Sequence, residues 1–567
     1  MAASSIEKTP PTTTKRKVVA KKKATAKKPA AKKTCRTVVK KSGGKTKRVK
    51  VCTTKKTTKK TTAKKKATIV AAPLPKFTVT DTTPVLPPSE ILPPSPATPI
   101  DPNPPAPVDP ETPVSGGVTQ TVEGNLTAAQ AERLLWRAGF GPRPGQVAAF
   151  TGKDVGDAIR ELTRPTTVTL TGPAPRQENG LPLFPLDMWG HDHCVWLDRM
   201  VRCDQPLTER MALIFHDWFA TSRGIVSAYH GQNQIQTIRN KCFGTFDDLL
   251  TEMTKDPAML VWLNGISNTK WAPNENYARE VMELFTLGAE RGAYTETDIR
   301  EAAKALTGWR ADWDNVFSYD WRNFRYDANR HTTGNKTIFG KTGDYGWQDV
   351  VRLCVEHPLH ASFFCTKLWS YFVPSTPDDE TLARLCGIYV NSGRQIRPVV
   401  EAILQHPECL NGPRMVLPPV VYAAGLLRAT GGAIKTDNWA YLCDMAGQRL
   451  YWPPNVSGWN DRRWLDSSTL RGRWHIAREG LAPKYVDPWP TGGSNYDPQE
   501  TNILALQRAL ETLDNPSITE ATRTELSNCS ASIGAQITAT WQRSPYRAMR
   551  QNALRMLIAT SPDCQTR

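Results

Sequence analysis

The stretch from Asn276 to Leu287 has the pattern of a helix that is apolar around most of its circumference. Apolar side chains recur along it at helical spacing: Tyr277, Ala278, Val281, Met282, Leu284 and Phe285. A helix that is apolar on nearly all sides needs other elements packed around it. The stretch therefore predicts a body in which several helices surround this one.

A second helix follows after a tight turn. Gly288 suits the left-handed conformation that ends many helices, because glycine has no Cβ atom. Thr295 and Asp298 then form a capping-box pattern, and the second helix ends near Gly308. Two short helices joined in this way predict an αα-hairpin.

The polar side chains of the first helix share one narrow stripe, which consists of Asn276, Arg279, Glu280 and Glu283. One interpretation is a solvent-facing edge, where Arg279 and Glu283 form a pair worth ~0.2–0.5 kcal/mol. The other interpretation is the wall of a cleft. Buried charges need partners, so Arg279 would then keep one carboxylate ionised and leave another free.

Helical periodicity continues through most of 126–265, from 346 to 482, and in three segments near the C-terminus. The predicted fold class is mostly α, a multi-helix, orthogonal bundle-like body with a small aromatic β-flap, preceded by a disordered tail. We expect four regions: a tail at 1–76, a linker at 77–124, the helical body at 125–482 and a C-terminal helical extension at 483–567.

The β-flap is predicted from seven aromatic residues within residues 309–326. Phe317, Tyr319 and Trp321 alternate along the chain, which predicts a strand. Phe324 and Tyr326 would lie on its hairpin partner. Such a flap packs aromatic rings over the helices; the alternative is a stacking surface for sugar rings or another planar ligand.

The tail carries nearly all of the basic charge. Residues 1–76 contain 26 Lys and Arg and one acidic residue, a net charge of +25, whereas the whole chain carries +19, so the remainder carries −6. Such a segment repels itself and predicts disorder. We expect it to bind a polyanion, either nucleic acid or an acidic envelope polymer, through residues that include Lys21, Lys22, Lys23, Lys47, Arg48, Lys64, Lys65 and Lys66.

The alternative for the tail is a purely solubilising role. Few aromatic residues interrupt it, so any nucleic-acid binding would not depend on base sequence. The linker contains thirteen prolines between Pro84 and Pro113, which favour an extended conformation that holds the tail away from the body. Protein partners are not indicated.

Location is left open. No stretch is apolar enough to span a membrane, and only Val18 to Ala20 follows the first basic cluster, too short for a secretory h-region. A cytoplasmic protein, unconventional export and a different start site are all compatible with this pattern. None of the twelve cysteines forms a CxxC pair, which argues against a zinc ribbon, and free buried thiols are expected.

Several stretches resemble, in order, the motifs of a bacterial family known as domain of unknown function 1800. They are AERLLWRAGFG (131–141), LTERMALIFHDWFATS (207–222), NENYAREVMELFTLG (274–288), HTTGNKTIFG (331–340), HPLHASFFCTKLWSYF (357–372) and PPNVSGW (453–459). The resemblance implies a largely helical protein, and an envelope or extracellular location because members often carry export signals. The family often has a second histidine two residues after the position of His216, where this chain has Trp218.

No phosphate-binding Gly-rich loop, GxSxG elbow or HExxH helix is present. The remaining candidates for catalysis are His216, Asp217, Arg279, Glu280, Glu283, His331 and Lys336. One hypothesis is a metal-dependent enzyme, with hydrolysis as one reaction type, in which His216, Glu280 and His331 bind a divalent ion. Without a metal, the same groups could act as acid and base. The preferred hypothesis is a helical body without assigned chemistry, tethered to a polyanion by its tail.

Overall fold

A computed structural model describes residues 33–42, 45–54, 121–165, 167–316, 318–488, 500–536 and 545–567. The chain divides into two units, Met1–Val108 and Asp109–Arg567. The second unit is mostly α-helical, as the sequence predicts. Within the described part of the chain, no helix combines the length and apolarity needed to cross a membrane.

The first unit contains an antiparallel hairpin of β1 (Lys33–Ser42) and β2 (Lys45–Thr54). Its register pairs Cys35 with Cys52 and Lys40 with Lys47. The high charge of this segment predicts no secondary structure. Threonine and valine recur on both strands, and β-branched residues of this kind favour extended backbone. The predicted disorder elsewhere in residues 1–76 lies outside the described residues.

The second unit begins with eight helices, which cover the first third of the body. They are α1 (Ala128–Arg137), α2 (Gln146–Phe150), α3 (Val155–Thr163), α4 (His191–Arg202), α5 (Pro206–Trp218), α6 (Ala228–Lys241), α7 (Phe246–Thr254) and α8 (Pro257–Trp262). Proline stands in the first turn of both α5 and α8, where its missing N–H costs no intrahelical hydrogen bond.

The central stretch is only partly α-helical. α9 spans Asn276–Glu280 and passes directly into a π-helical segment, Val281–Thr286, instead of the uniform α-helix predicted to Leu287. The backbone N–H of Leu287 donates to the carbonyl of Met282 at 2.8 Å, five residues back. α10 (Glu296–Ala305) follows, and Thr295 and Asp298 form the predicted capping box. Gly288 has φ +88°, the left-handed value expected for it.

The flap is a hairpin of β3 (Trp309–Asp314) and β4 (Asp320–Tyr326). The turn lies earlier in the chain than the alternation of aromatic residues predicts: Trp321 and Phe324 lie on the same strand, and Trp321 pairs with Trp313. Phe317, which the prediction assigned to the first strand, lies outside the described residues. A second small sheet follows, formed by β5 (Lys336–Ile338) and β6 (Lys341–Gly343).

The remaining helices complete the body. They are α11 (Trp347–Val355), α12 (His360–Ser370), α13 (Asp379–Asn391), α14 (Ile396–Leu404), α15 (Pro407–Leu410), α16 (Pro419–Thr430), α17 (Trp439–Met445), α18 (Ser467–Leu481), α19 (Asn502–Glu511), α20 (Glu520–Gly534), α21 (Pro545–Thr560) and α22 (Pro562–Gln565). The last residue, Arg567, exchanges two backbone hydrogen bonds with Met415 at 2.7 and 2.9 Å. The C-terminus is therefore built into the same unit as the central helices.

The core of the body is rich in large aromatic side chains. Trp196, Trp218, Trp369 and Trp439 are all buried almost completely. Trp218 of α5 contacts rings from α7 and α12, among them Phe246 at 5.8 Å between ring centroids. Trp218 thus packs the stretch 207–222 against α12, which carries the later stretch 357–372.

Candidate functional site

α5 presents two ionisable side chains on one face. Arg210 and Asp217 are seven residues apart, so they lie two turns from each other along the same side of the helix. Both line a cavity of about 190 Å³. Arg210 is 5% exposed, and burial lowers its pKa to about 10, with the nearby charge of Arg137 as the second cause.

Asp217 lies deep among protein atoms but keeps a small surface toward the cavity. The Tyr371 hydroxyl donates to its Oδ2 at 2.8 Å, and the backbone N–H of Trp459 donates to its Oδ1 at 2.8 Å. Burial raises the pKa of Asp217 to about 6, although both hydrogen bonds and Lys367 favour the charged form. A carboxyl group with this pKa can both accept and donate a proton near neutral pH.

Lys367 and Tyr371 come from the end of α12, four residues apart. The Lys367 ammonium donates to the carbonyl of Leu284 at 2.8 Å and lies 4.6 Å from the centroid of the Trp218 ring. Burial lowers the pKa of Lys367 to about 8, and Asp217 opposes that change. Burial also raises the pKa of Tyr371 well above its ordinary value, so this hydroxyl stays protonated and donates to Asp217.

Side chains from other helices form hydrogen bonds with the C-terminal end of the π-helical segment. Its last carbonyl groups have no partner within the helix, and side chains from other elements satisfy them. Trp218 Nε1 donates to the Phe285 carbonyl at 3.1 Å, Lys367 donates to Leu284, and His360 Nδ1 bonds the Thr286 carbonyl at 2.9 Å. The central stretch therefore supports the cavity through its backbone.

The loop that follows α17 closes the cavity from the other side. Gly458 has φ +87°, and a Cβ atom there would overlap the Asp217 carboxylate. Only glycine fits this approach, which brings the Trp459 N–H within bonding distance of Asp217. Four stretches that carry the family resemblance thus meet at one place, those that contain Asp217, Leu284, Tyr371 and Trp459.

His216 lies beside Asp217 in the sequence but not at the cavity. Its ring is buried completely, 5.5 Å from the ring centroids of both Trp196 and Trp459 and 5.8 Å from that of Tyr451. Burial lowers the pKa of His216 to about 3, so the imidazole is neutral. Neither ring nitrogen has a hydrogen-bond partner among the described residues. The side chain serves as an aromatic packing element in this arrangement.

The polar stripe of the central stretch does not line the cavity, and its Arg279 reaches α10 instead. Arg279 pairs with Glu296 at 2.7 Å and with Glu275 at 3.4 Å, so the expected pair with Glu283 is replaced by these two partners. Glu280 and Glu283 are half-buried. The pKa of Glu280 is raised mainly by burial and, to a smaller extent, by the negative charge of Glu283. The solvent-edge interpretation describes Arg279 better than the cleft interpretation does.

His331 and Lys336 form a separate polar group near β5. His331 Nδ1 lies 2.9 Å from the Thr307 carbonyl oxygen. The Lys336 side chain is 1% exposed and pairs with Asp344 at 3.0 Å. The structure therefore does not unite the seven predicted residues: it brings Asp217 to the cavity and distributes the other six among the aromatic core, the α9–α10 surface and β5.

No group of three or more His, Cys, Asp and Glu side chains within the described ranges is arranged to hold a metal ion. His216, Glu280 and His331 consequently do not form the predicted metal set. The sequence analysis also missed Arg210, Lys367 and Tyr371. They lie inside stretches that carry the family resemblance, and the four-residue spacing of Lys367 and Tyr371 was the available signal for a shared helix face.

Comparison with known proteins agrees with the resemblance seen in the sequence. The chain belongs to the family described as "Protein of unknown function (DUF1800)", whose model matches residues 133–566. The match includes the C-terminal residues after 482. No curated protein matches the chain. No solved structure matches it either.

Proposed function

We propose that the chain is a helical protein tethered to a polyanion by its Lys-rich N-terminal segment. The observation that carries this proposal is the division of charge, with +25 in residues 1–76 and −6 in the remainder. A segment of this kind neutralises phosphates or carboxylates along a polymer and releases their counterions. Nucleic acid and an acidic envelope polymer are the two polymer types that fit.

The hairpin of the first unit supports the same proposal. Its 22 residues from Lys33 to Thr54 include eight Lys and Arg and no acidic residue. The register places Lys40 directly opposite Lys47. Like charges at facing positions destabilise an antiparallel pair. A bound polyanion would remove that repulsion, so binding and hairpin formation should reinforce each other.

The test replaces eight basic residues by glutamine in the full chain: Lys21, Lys22, Lys23, Lys47, Arg48, Lys64, Lys65 and Lys66. The matched control replaces the seven lysines by arginine and keeps the charge. Binding to a duplex DNA and to a teichoic-type polymer is measured from low to high salt. We expect the slope of log K against log salt to become shallower by up to about 7 for the glutamine variant on duplex DNA. Equal slopes for both variants would contradict the tether.

A second candidate function is favoured by Asp217. Its carboxyl group has a pKa near 6, lines a cavity and shares a hydrogen bond with Tyr371. We propose that the cavity is an acid–base site in which Asp217 exchanges the proton. The hydrolytic, metal-dependent alternative would need ligands other than the predicted three. This alternative is tested by measuring the metal content of the purified chain by elemental mass spectrometry. One tightly bound ion per chain would support a metal-dependent function.

The acid–base proposal predicts the pH dependence of any turnover found in a substrate screen. The rate should follow one ionisation near pH 6 and fall by at least about a hundredfold in Asp217→Asn. The control is Asp461→Asn, because Asp461 is an exposed carboxylate at the same cavity. An unchanged turnover rate in Asp217→Asn would contradict this second candidate function.

A further inference from the structure

Arg210 is a buried cation without a counter-ion. Its side chain is 5% exposed, and its Nε has no hydrogen-bond partner. None of the described carboxylates forms an ion pair with it. Asp217, which lies two turns away on the same face of α5, already accepts from Tyr371 and Trp459, one bond to each carboxylate oxygen. Removing a guanidinium from water without a partner is costly, so an unpaired arginine in this position calls for an explanation.

A second arginine makes the local excess of positive charge larger. Arg137 of α1 is 3% exposed, and its Nε and Nη1 also have no partner. One nitrogen, Nη2, donates to the Pro413 carbonyl at 3.0 Å. Arg137 lies close enough to Arg210 for its charge to act on it. Two neighbouring cations of this kind repel each other unless an anion lies near them.

Two indole groups add further unsatisfied donors. Trp459 and Trp464 line the same cavity as Arg210, and both are at least nine-tenths buried. The Nε1 of each indole has no hydrogen-bond partner within the described part of the chain. Guanidinium and indole nitrogens only donate hydrogen bonds. Both indole nitrogens are enclosed by protein atoms, so the guanidinium of Arg210 is the unpaired donor group that a molecule in the cavity would meet. Such a molecule must offer hydrogen-bond acceptors.

The cavity is large enough for such a molecule. Its volume of about 190 Å³ is several times the ~30 Å³ that one water occupies in the liquid. Leu213, Ile214, Met415 and Pro418 supply apolar walls. A pocket with apolar walls and a few convergent polar groups is the usual form of a small-molecule site.

We propose that this cavity binds a small molecule through an oxyanion group, a carboxylate or a phosphate, held by the guanidinium of Arg210. A guanidinium bonds both anions in a bidentate manner. The inference names the ligand class of the acid–base site and rests on the proposal that this cavity is functional. Proton transfer at Asp217 is not required for the anion to bind.

The test is calorimetric titration of the full chain with inorganic phosphate and, separately, with acetate, at constant ionic strength in chloride. We expect saturable binding of one anion per body. Arg210→Gln should weaken it by at least about tenfold. Arg462→Gln is the matched control, because Arg462 is exposed, follows the cavity residue Asp461 in the chain, and its loss removes the same charge. The basic tail is identical in both variants, so its own weak binding cancels.

Two further variants keep the inference testable if Arg210→Gln does not fold. Arg210→Lys keeps the positive charge but loses the bidentate geometry, and should weaken phosphate binding by about threefold to tenfold. Asp217→Asn removes a negative charge from the cavity and should therefore strengthen the binding of the anion. Preference for phosphate over acetate, or the reverse, identifies the group on the natural ligand.

The inference is overturned if no binding saturates below about 10 mM probe. It is also overturned if Arg210→Gln and Arg462→Gln bind alike, because the anion would then lie on the tail or the surface. Binding that is lost in Arg210→Gln and retained in Asp217→Asn supports the anion site. If that same cavity shows no turnover sensitive to Asp217, the acid–base proposal alone fails.

Discussion

Replacing Asp217 by asparagine should remove a pH dependence of stability from the protein. Burial raises the pKa of this carboxyl group from its ordinary 3.8 to about 6. At about 1.4 kcal/mol per pH unit, the difference amounts to up to about 3 kcal/mol. Because the folded protein holds this proton more tightly than the unfolded chain, the stabilisation is complete below about pH 4 and is lost as the pH rises through about 6.

The asparagine amide that replaces the carboxyl group does not titrate, so the variant should lack this loss. The free energy of unfolding is measured by guanidinium denaturation between about pH 4.5 and 7.5 for both proteins. We expect the variant to become more stable relative to the wild type by roughly 2 kcal/mol across that range. At any single pH the loss of one acceptor costs about 1–3 kcal/mol, so the change with pH is the diagnostic quantity.

Asp461→Asn serves as the control, because that exposed carboxylate borders the same cavity. Its curve should run nearly parallel to the wild-type curve, because Asp461 is the smallest of the influences on the pKa of Asp217. The reasoning is refuted if the Asp217→Asn curve also stays parallel to the wild type within about 0.5 kcal/mol, because Asp217 would then be as well solvated as a surface carboxylate.

Two other predictions concern stability. Gly458→Ala should lower the free energy of unfolding by at least about 2 kcal/mol in denaturant titration, because its Cβ would overlap Asp217 at a left-handed backbone position. Gly393→Ala, at φ +69° with open space around it, should show only the backbone part of that cost, and equal losses would contradict the packing argument. Glu209→Gln should cost about 3–5 kcal/mol in thermal unfolding, because the buried Glu209 pairs with Arg199 and Arg239, each at 2.9 Å. Glu296→Gln, at an exposed pair, should cost less than about 1 kcal/mol, and a similar loss in both variants would show that burial is not what matters.

The helical body was predictable because its signals are local. Apolar periodicity, the capping box at Thr295 and the glycine after the central stretch all act within a few residues. The π-helical segment was not predictable in this way. Hydrogen bonds that span five residues instead of four change little in the apolar pattern. The carbonyls left without a partner at the end of the segment accept from Trp218 and Lys367, which come from distant elements.

The candidate site was predicted only at Asp217. Charge and residue type identify His216 and Lys336 as reactive groups, yet tertiary packing places His216 among aromatic rings and pairs Lys336 with Asp344. Arg210 shows the opposite case, because in the sequence it resembles any surface arginine of a helix and only the fold buries it. Burial decides which of these groups is available, and it depends on contacts between residues hundreds of positions apart.

The central claim is that α5 and the end of α12 meet through Asp217 and Tyr371. A double-mutant cycle with Asp217→Asn, Tyr371→Phe and the combined variant tests it by denaturant titration at about pH 8, where the carboxylate is ionised. The 2.8 Å hydrogen bond predicts a coupling free energy of about 1.5–3 kcal/mol. Additive losses, with a coupling below about 0.3 kcal/mol, would contradict the claim that these two motifs form one site.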